Sequence, residues 1–288
     1  MAYPKKNRIF TAYIKKYFMN KRINFTCSLT LVLSLLLATT IGYAQTTDND
    51  FTPRSGQAGK DVVWVPTPQE LVDTMLEMAK VTSDDYVIDL GSGDGRLVIT
   101  AAKRGATALG IEYNPDMVEL ARRAAADEGV SDRAKFENAD IFESDFSKAT
   151  VITLFLLSDL NLKLRPTLLD MKPGTRIVSN TFGMSDWGSD LTMRLTDQNV
   201  SWSTAHLWIV PAKVEGTWNF DGGQARLTQT FQTISGTLTM GNAVIELTGK
   251  LNGDKISINA DGTEFTGTVS GNTISGTIAG GGSLTATR

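Results

Sequence analysis

From residue 61 to about residue 213 the chain alternates short apolar runs with segments whose apolar residues recur every three or four positions. Thr67-Pro68-Gln69-Glu70 predicts a helix start, with Thr67 as cap, Pro68 in the first helical position and Glu70 reaching back. Leu71, Val72, Met75, Leu76 and Ala79 then follow at helical spacing. A strand is expected over residues 86–90, a glycine-rich turn over 91–95 and a helix to about Arg104. The same reading places strands at 108–112 and 134–137, with a helix opened by Asn114-Pro115 between them. Residues 150–157 are almost wholly apolar, as in a central strand buried on both faces. A helix over about 160–171 stops at Lys172-Pro173-Gly174, and a strand follows at 175–179. Two late strands, near 191–196 and 205–210, suit an antiparallel edge. Strand–helix alternation of this length predicts an α/β fold with a doubly wound sheet.

The pattern changes near residue 213. Residues 214–288 hold 14 of the 26 glycines, 14 threonines and no proline. Asn252-Gly253-Asp254, Asp261-Gly262 and Ser270-Gly271-Asn272 are hairpin signals. Ile234-Ser235-Gly236-Thr237-Leu238 and Ile274-Ser275-Gly276-Thr277-Ile278 are near-copies. Seven or eight short strands predict a small all-β antiparallel barrel or sandwich. Gly216-Thr217-Trp218, with Arg288 at the far end, is similar to the closing Trp–Arg pair of calycin-like barrels.

Charge adds a third region. Residues 1–47 carry seven Lys or Arg and no acid, leaving 21 positive against 31 acidic residues in the remainder. A basic start followed by the apolar run from Cys27 to Ile41 predicts a signal peptide or membrane anchor over residues 1–44. Gly42-Tyr43-Ala44 offers small residues for cleavage before Gln45. Either outcome places the rest outside the cytoplasm, exported or membrane-anchored. Residues 45–60 read as a linker, 61–213 as the α/β domain and 214–288 as the all-β domain. A net charge of −3 gives no reason to expect nucleic acid. One cysteine and one histidine argue against thiolate or multi-histidine metal centres, so no metal is expected.

The chemistry concentrates in Asp89-Leu90-Gly91-Ser92-Gly93-Asp94-Gly95, on a strand–turn–helix. In an open α/β sheet, ligands bind at the carboxyl ends of the strands, where the winding reverses. The spacing is not the Gly-x-Gly-x-x-Gly of dinucleotide sites, and Asp89 and Asp94 would repel a pyrophosphate. Acids around a glycine loop suit a ligand with an ammonium and a sulfonium. Glu112 ends the next strand, 23 residues after Asp89, placed to accept both hydroxyls of a ribose. Asp140 follows the third strand and suits an adenine amine, with Ile141 or Phe142 packing on the ring. In order, these residues describe a pocket for S-adenosyl-L-methionine.

Residues 61 to about 210 resemble class I S-adenosylmethionine-dependent methyltransferases, in a subgroup similar to Dot1-like protein-lysine methyltransferases. The resemblance rests on Val65-Pro66-Thr67-Pro68, the glycine loop through Arg96, Phe155-Leu156-Leu157 with Asn161, and Lys172-Pro173-Gly174-Thr175-Arg176. It implies a seven-stranded sheet, methionine-end contacts at Asp89, Gly91 and Gly93, ribose at Glu112, and adenine at Asp140 and Ile141. It also implies a protein lysine as methyl acceptor. A lysine must arrive neutral, which an apolar slot favours. Leu157, Ser158 and Asn161 are the expected acceptor-positioning residues, with Phe155, Phe182 and Trp187 as walls of the slot. A small-molecule methyltransferase is the first alternative. A secreted binding protein with a vestigial core is the second.

Overall fold

The computed structural model describes residues 51–196 and 201–288. The predicted signal or anchor segment lies outside the described residues. No helix among the described residues is long and apolar enough to cross a membrane.

The first sheet has seven strands in the order β3-β2-β1-β4-β5-β7-β6. They are β1 (Tyr86–Leu90), β2 (Thr107–Glu112), β3 (Ala134–Asn138), β4 (Val151–Leu154), β5 (Arg176–Asn180), β6 (Leu191–Arg194) and β7 (Thr204–Ile209). β1 to β5 are parallel, while β7 runs antiparallel between β5 and β6. The chain leaves β1 toward β2 and β3 and returns to β4 on its other side. That reversal opens a crevice at the carboxyl ends of β1 and β4. β4 is buried along its whole length, as a strand covered on both faces requires.

Helices α1 (Gln69–Met78), α2 (Arg96–Lys103) and α3 (Pro115–Asp127) cover one face. Helix α4 (Ser158–Leu169) and the segment carrying Met184 and Trp187 cover the other. Asn114 caps α3 as expected, its side chain accepting from the Asp116 N–H at 2.9 Å. The capping box at α1 does not form. Pro68 is the cap residue, with no side-chain bond to the helix. The Thr67 hydroxyl instead accepts from Asn180 Nδ2 at 3.3 Å, because Thr67 is drawn into the crevice. β4 also ends earlier than the apolar run suggested. Phe155 and Leu156 leave the sheet, and Leu157 becomes the cap residue of α4.

The remaining strands close into an eight-stranded antiparallel barrel. They are β8 (Gly216–Phe220), β9 (Gly223–Thr230), β10 (Thr233–Met240), β11 (Ala243–Asn252), β12 (Lys255–Ala260), β13 (Thr263–Ser270), β14 (Thr273–Ile278) and β15 (Ser283–Thr287). Trp218, Leu227, Ile234, Leu247, Leu251, Ile256 and Ile274 fill its interior. The barrel is therefore packed with side chains rather than open for a ligand.

The Arg288 guanidinium lies 4.6 Å from the Trp218 ring centroid. It donates to the Glu215 carbonyl at 2.8 Å and the Lys213 carbonyl at 3.0 Å. One side chain thus joins the last residue of the chain to the start of the barrel. Arg288→Ala is expected to destabilise the protein by about 1–2 kcal/mol, the scale of an exposed cation–π contact plus charged hydrogen bonds. Urea unfolding of the two proteins measures this, and equal midpoints would show that the closing contact contributes nothing.

Candidate active site

One cavity occupies the crevice at the carboxyl ends of β1, β2 and β4. Asp89, Gly91, Ser92, Gly93, Asp94, Glu112, Asp140, Ile141 and Phe155 all line it. Sequence positions spread over 67 residues are brought together because parallel strands present their carboxyl ends to one edge.

The glycine loop is shaped by close approach. Gly93 has φ +54°, and a Cβ there would sit 2.5 Å from the Trp64 indole Nε1. At Gly95, φ +79°, a Cβ would strike the Phe136 ring and Ala121, so α2 docks on the sheet only with glycine at its cap. The Ser92 side chain turns toward β2. Its Oγ packs into the notch left by Gly110 and has no hydrogen-bond partner.

The acids differ in their surroundings. Asp89 is 7% exposed and accepts from the Thr153 hydroxyl at 2.7 Å. Burial pushes its carboxyl up to about 7; Glu112 and Asp94 add to the rise, and the Thr153 bond opposes it. Glu112 accepts from the Gly93 N–H through Oε2 and from the Asn114 N–H through Oε1, each at 2.9 Å. Each oxygen retains a lone pair for a further donor. Asp94 is held by Arg96, whose guanidinium also donates to the Thr67 carbonyl at 2.8 Å. Asp140 is paired with Lys60, which with the Phe142 N–H holds its carboxyl below the usual range.

Lys60 belongs to a strap that composition alone marks as linker. The Gly56 N–H donates to the Trp64 carbonyl, the Trp64 N–H donates to the Gln57 carbonyl, and Ala58 bridges Val63, so residues 56–64 fold back on themselves. The strap crosses the cavity from Trp64 at Gly93 to Lys60 at Asp140, with the Lys60 ammonium 4.8 Å from the Tyr113 ring centroid. Lys60 falls in the stretch read as linker, while Trp64 and Tyr113 lie in the α/β region with no local pattern that marks them.

Beyond Phe155 the cavity gives way to an aromatic group. The Phe155, Phe182 and Trp202 ring centroids lie 6.2, 5.9 and 5.7 Å apart. Trp202 precedes β7 with φ +59° and is 42% exposed. Thr181, next to Phe182, has φ +61°. Two non-glycine residues in this conformation mark a site held under strain.

The other expected acceptor residues do not converge. Leu157 is 47% exposed and lies outside the cavity lining, and Ser158 is an exposed first residue of α4. Asn161 is fully buried; its amide donates to the Phe182 carbonyl at 3.1 Å and the Ser179 hydroxyl at 3.4 Å. It holds the Phe182 turn from behind. Trp187 is 1% exposed and stacks on Phe231 of the barrel, so it walls no slot.

The donor set fits S-adenosylmethionine. Two carboxylates, Asp89 and Glu112, would suit a cationic, hydroxyl-bearing ligand, and Asp140 with Ile141 would suit a flat ring carrying an amine.

Comparison with known proteins agrees. Residues 89–191 match the ANTKMT methyltransferase domain. A protein-lysine N-methyltransferase of Saccharolobus islandicus is 42% identical over 152 residues, covering 52% of this chain and 94% of that enzyme. A human lysine N-methyltransferase, named for one of the subunits of ATP synthase, is 34% identical over 128 residues, covering 44% of this chain. The match spans 54% of the human enzyme's own length. An RNA methyltransferase from Salinibacter ruber, solved with S-adenosyl-L-homocysteine, is 46% identical, covers 52% of this chain and 96% of that one, and has a TM-score of 0.49. The names of these relatives carry neither the Dot1-like subgroup nor the calycin-like barrel. Through the 42% identity that runs almost the full length of the archaeal enzyme, the chain belongs to the class I S-adenosylmethionine-dependent methyltransferases that carry the ANTKMT-type domain.

Proposed function

We propose that this methyltransferase acts on the side-chain amine of a protein lysine. The observation that carries the reading is the aromatic group of Phe155, Phe182 and Trp202 beside the cofactor cavity. The names of the archaeal and human relatives support it. The cofactor supplies the methyl group. What the chain must supply is a neutral amine, aligned and kept from water. Apolar rings disfavour an ammonium's hydration and so favour the deprotonated amine. Ring faces also attract the methylated ammonium that forms. Asn161 and Ser179 fix the Phe182 carbonyl, which sets where that ring stands.

The test offers radiolabelled S-adenosylmethionine and a host extract to the full protein, then locates the label by mass spectrometry. Label on lysine of a protein is expected. Phe182→Ala is expected to lower kcat/KM by roughly tenfold or more, the scale of one lost packing and orienting contact. Label confined to small molecules would replace the lysine reading with the small-molecule one. Export or anchoring through residues 1–44 is a separate proposal. Sequencing the N-terminus of protein from the native host decides it, with a start near Gln45 expected for a cleaved signal.

A further inference from the structure

Six hairpins of the barrel turn through two residues. In three of them the first turn residue is a glycine with positive φ: Gly241 at +57°, Gly253 at +61° and Gly271 at +56°. In the turn between β9 and β10 that place is taken by Phe231, at φ +53°. A bulky residue there is strained, and the barrel itself gains nothing from it. The gain lies outside the barrel. The Phe231 ring stacks on Trp187 at 5.8 Å and 14°, and Trp187 is backed by Trp208 at 6.1 Å. The next residue, Gln232, accepts from Trp187 Nε1 at 3.0 Å and donates to the Gly188 carbonyl at 2.9 Å.

The gripped segment runs directly from the acceptor wall. Phe182 is five residues before Trp187, and Arg165 joins the segment between them to the barrel turn. Its guanidinium donates to the Met184 carbonyl at 3.0 Å and lies 5.5 Å from the Phe231 ring centroid. Ser185, between them, has φ +56°. A segment with non-glycine residues at Thr181 and Ser185 in left-handed backbone stays in place only if both its ends are held. Asn161 and Ser179 hold one end, and the barrel turn holds the other.

We propose that the barrel is a clamp for the acceptor slot, with Phe231 and Gln232 as positioning residues that fix Phe182 through the segment 183–188. The proposal rests on the lysine reading only in calling that slot the acceptor's. It accounts for a strained aromatic turn in a barrel whose own interior is full.

The test compares the full protein with Phe231→Gly, Gln232→Ala and the conservative Phe231→Tyr. Affinity for S-adenosyl-L-homocysteine is expected to stay within twofold in all three. Amide exchange over 182–190 is expected to quicken at least tenfold in the first two and to match the wild type in Phe231→Tyr. With poly-L-lysine as acceptor, KM should rise at least fivefold in the first two while kcat stays within twofold. Unchanged exchange over 182–190, or cofactor affinity lost in step with it, would overturn the clamp. A wild-type protein inactive on poly-L-lysine would count against the lysine reading, and the exchange measurement would still decide the clamp.

Discussion

Replacing Glu112 by Ala is expected to weaken S-adenosylmethionine binding by at least tenfold and to leave the fold intact. The carboxylate at the end of β2 joins three parts of the site. One oxygen accepts from the Gly93 N–H of the glycine loop, and the other from the Asn114 N–H at the start of α3. The remaining lone pairs face the cavity that Glu112 lines. A hydrogen bond to a charged group contributes about 1.5–3 kcal/mol. One such bond lost to the ligand is roughly tenfold to a hundredfold in affinity. The loop also loses the anchor that sets the Gly93 backbone, so the effect exceeds that of a surface acid. Glu119 on the outer side of α3, paired with Arg122, is the control, and Glu119→Ala should leave affinity unchanged. Calorimetric titration of the two variants is decisive: equal affinities would remove Glu112 from the cofactor site.

Much of this site is legible in the sequence because its signals are local. Asp89 and Glu112 sit at or near the ends of apolar runs, Asp140 just beyond β3, and strand ends converge by topology alone. Four residues expected at the acceptor, Leu157 with Ser158, Asn161 and Trp187, lie elsewhere for reasons a linear reading cannot reach. Trp187 follows a strand by seven residues, which says nothing about which way the loop turns. The barrel's Phe231 captures it. Asn161 falls one helical turn after the cap of α4, but it faces inward and holds Phe182. Leu157 belongs to an apolar run whose end is a helix cap, since β4 stops at Leu154.

The missed residues share a different cause. Trp202 looks like a strand residue in alternation with His206 and Trp208, yet its φ of +59° takes it out of β7. Thr67 has every local reason to cap α1, and Asn180 draws its hydroxyl away from the helix. Phe231 and Gln232 give no turn signal, because the turn chemistry of glycine and asparagine is missing. Local rules fail here where a tertiary contact overrides them, and those contacts lie at the acceptor slot or at the barrel that grips its loop.

Asp89 gives the second large effect, as opposite pH trends in cofactor affinity and in stability. Its carboxyl titrates near 7 in the fold because burial, with Glu112 and Asp94 nearby, disfavours the anion. In the unfolded chain it titrates near 3.9. The folded form therefore binds the extra proton between about pH 4 and 7. Stability of the ligand-free protein should fall as pH rises through that window and flatten above 7. A cationic cofactor prefers the anion, so binding should release a proton. Affinity for S-adenosylmethionine should thus rise with pH, by roughly tenfold between pH 6 and 8. Asp89→Asn cannot ionise, so it should flatten the affinity profile at its weak end and remove this carboxyl's share of the fall in stability. His206, the chain's one histidine, supplies the control, and His206→Asn should leave the affinity profile unchanged. Calorimetry across pH 6 to 8, beside urea unfolding of the ligand-free protein across pH 4 to 8, reads both trends. Affinity that stays flat in the wild type, or that falls together with stability, would mean that Asp89 does not meet the charged end of the cofactor.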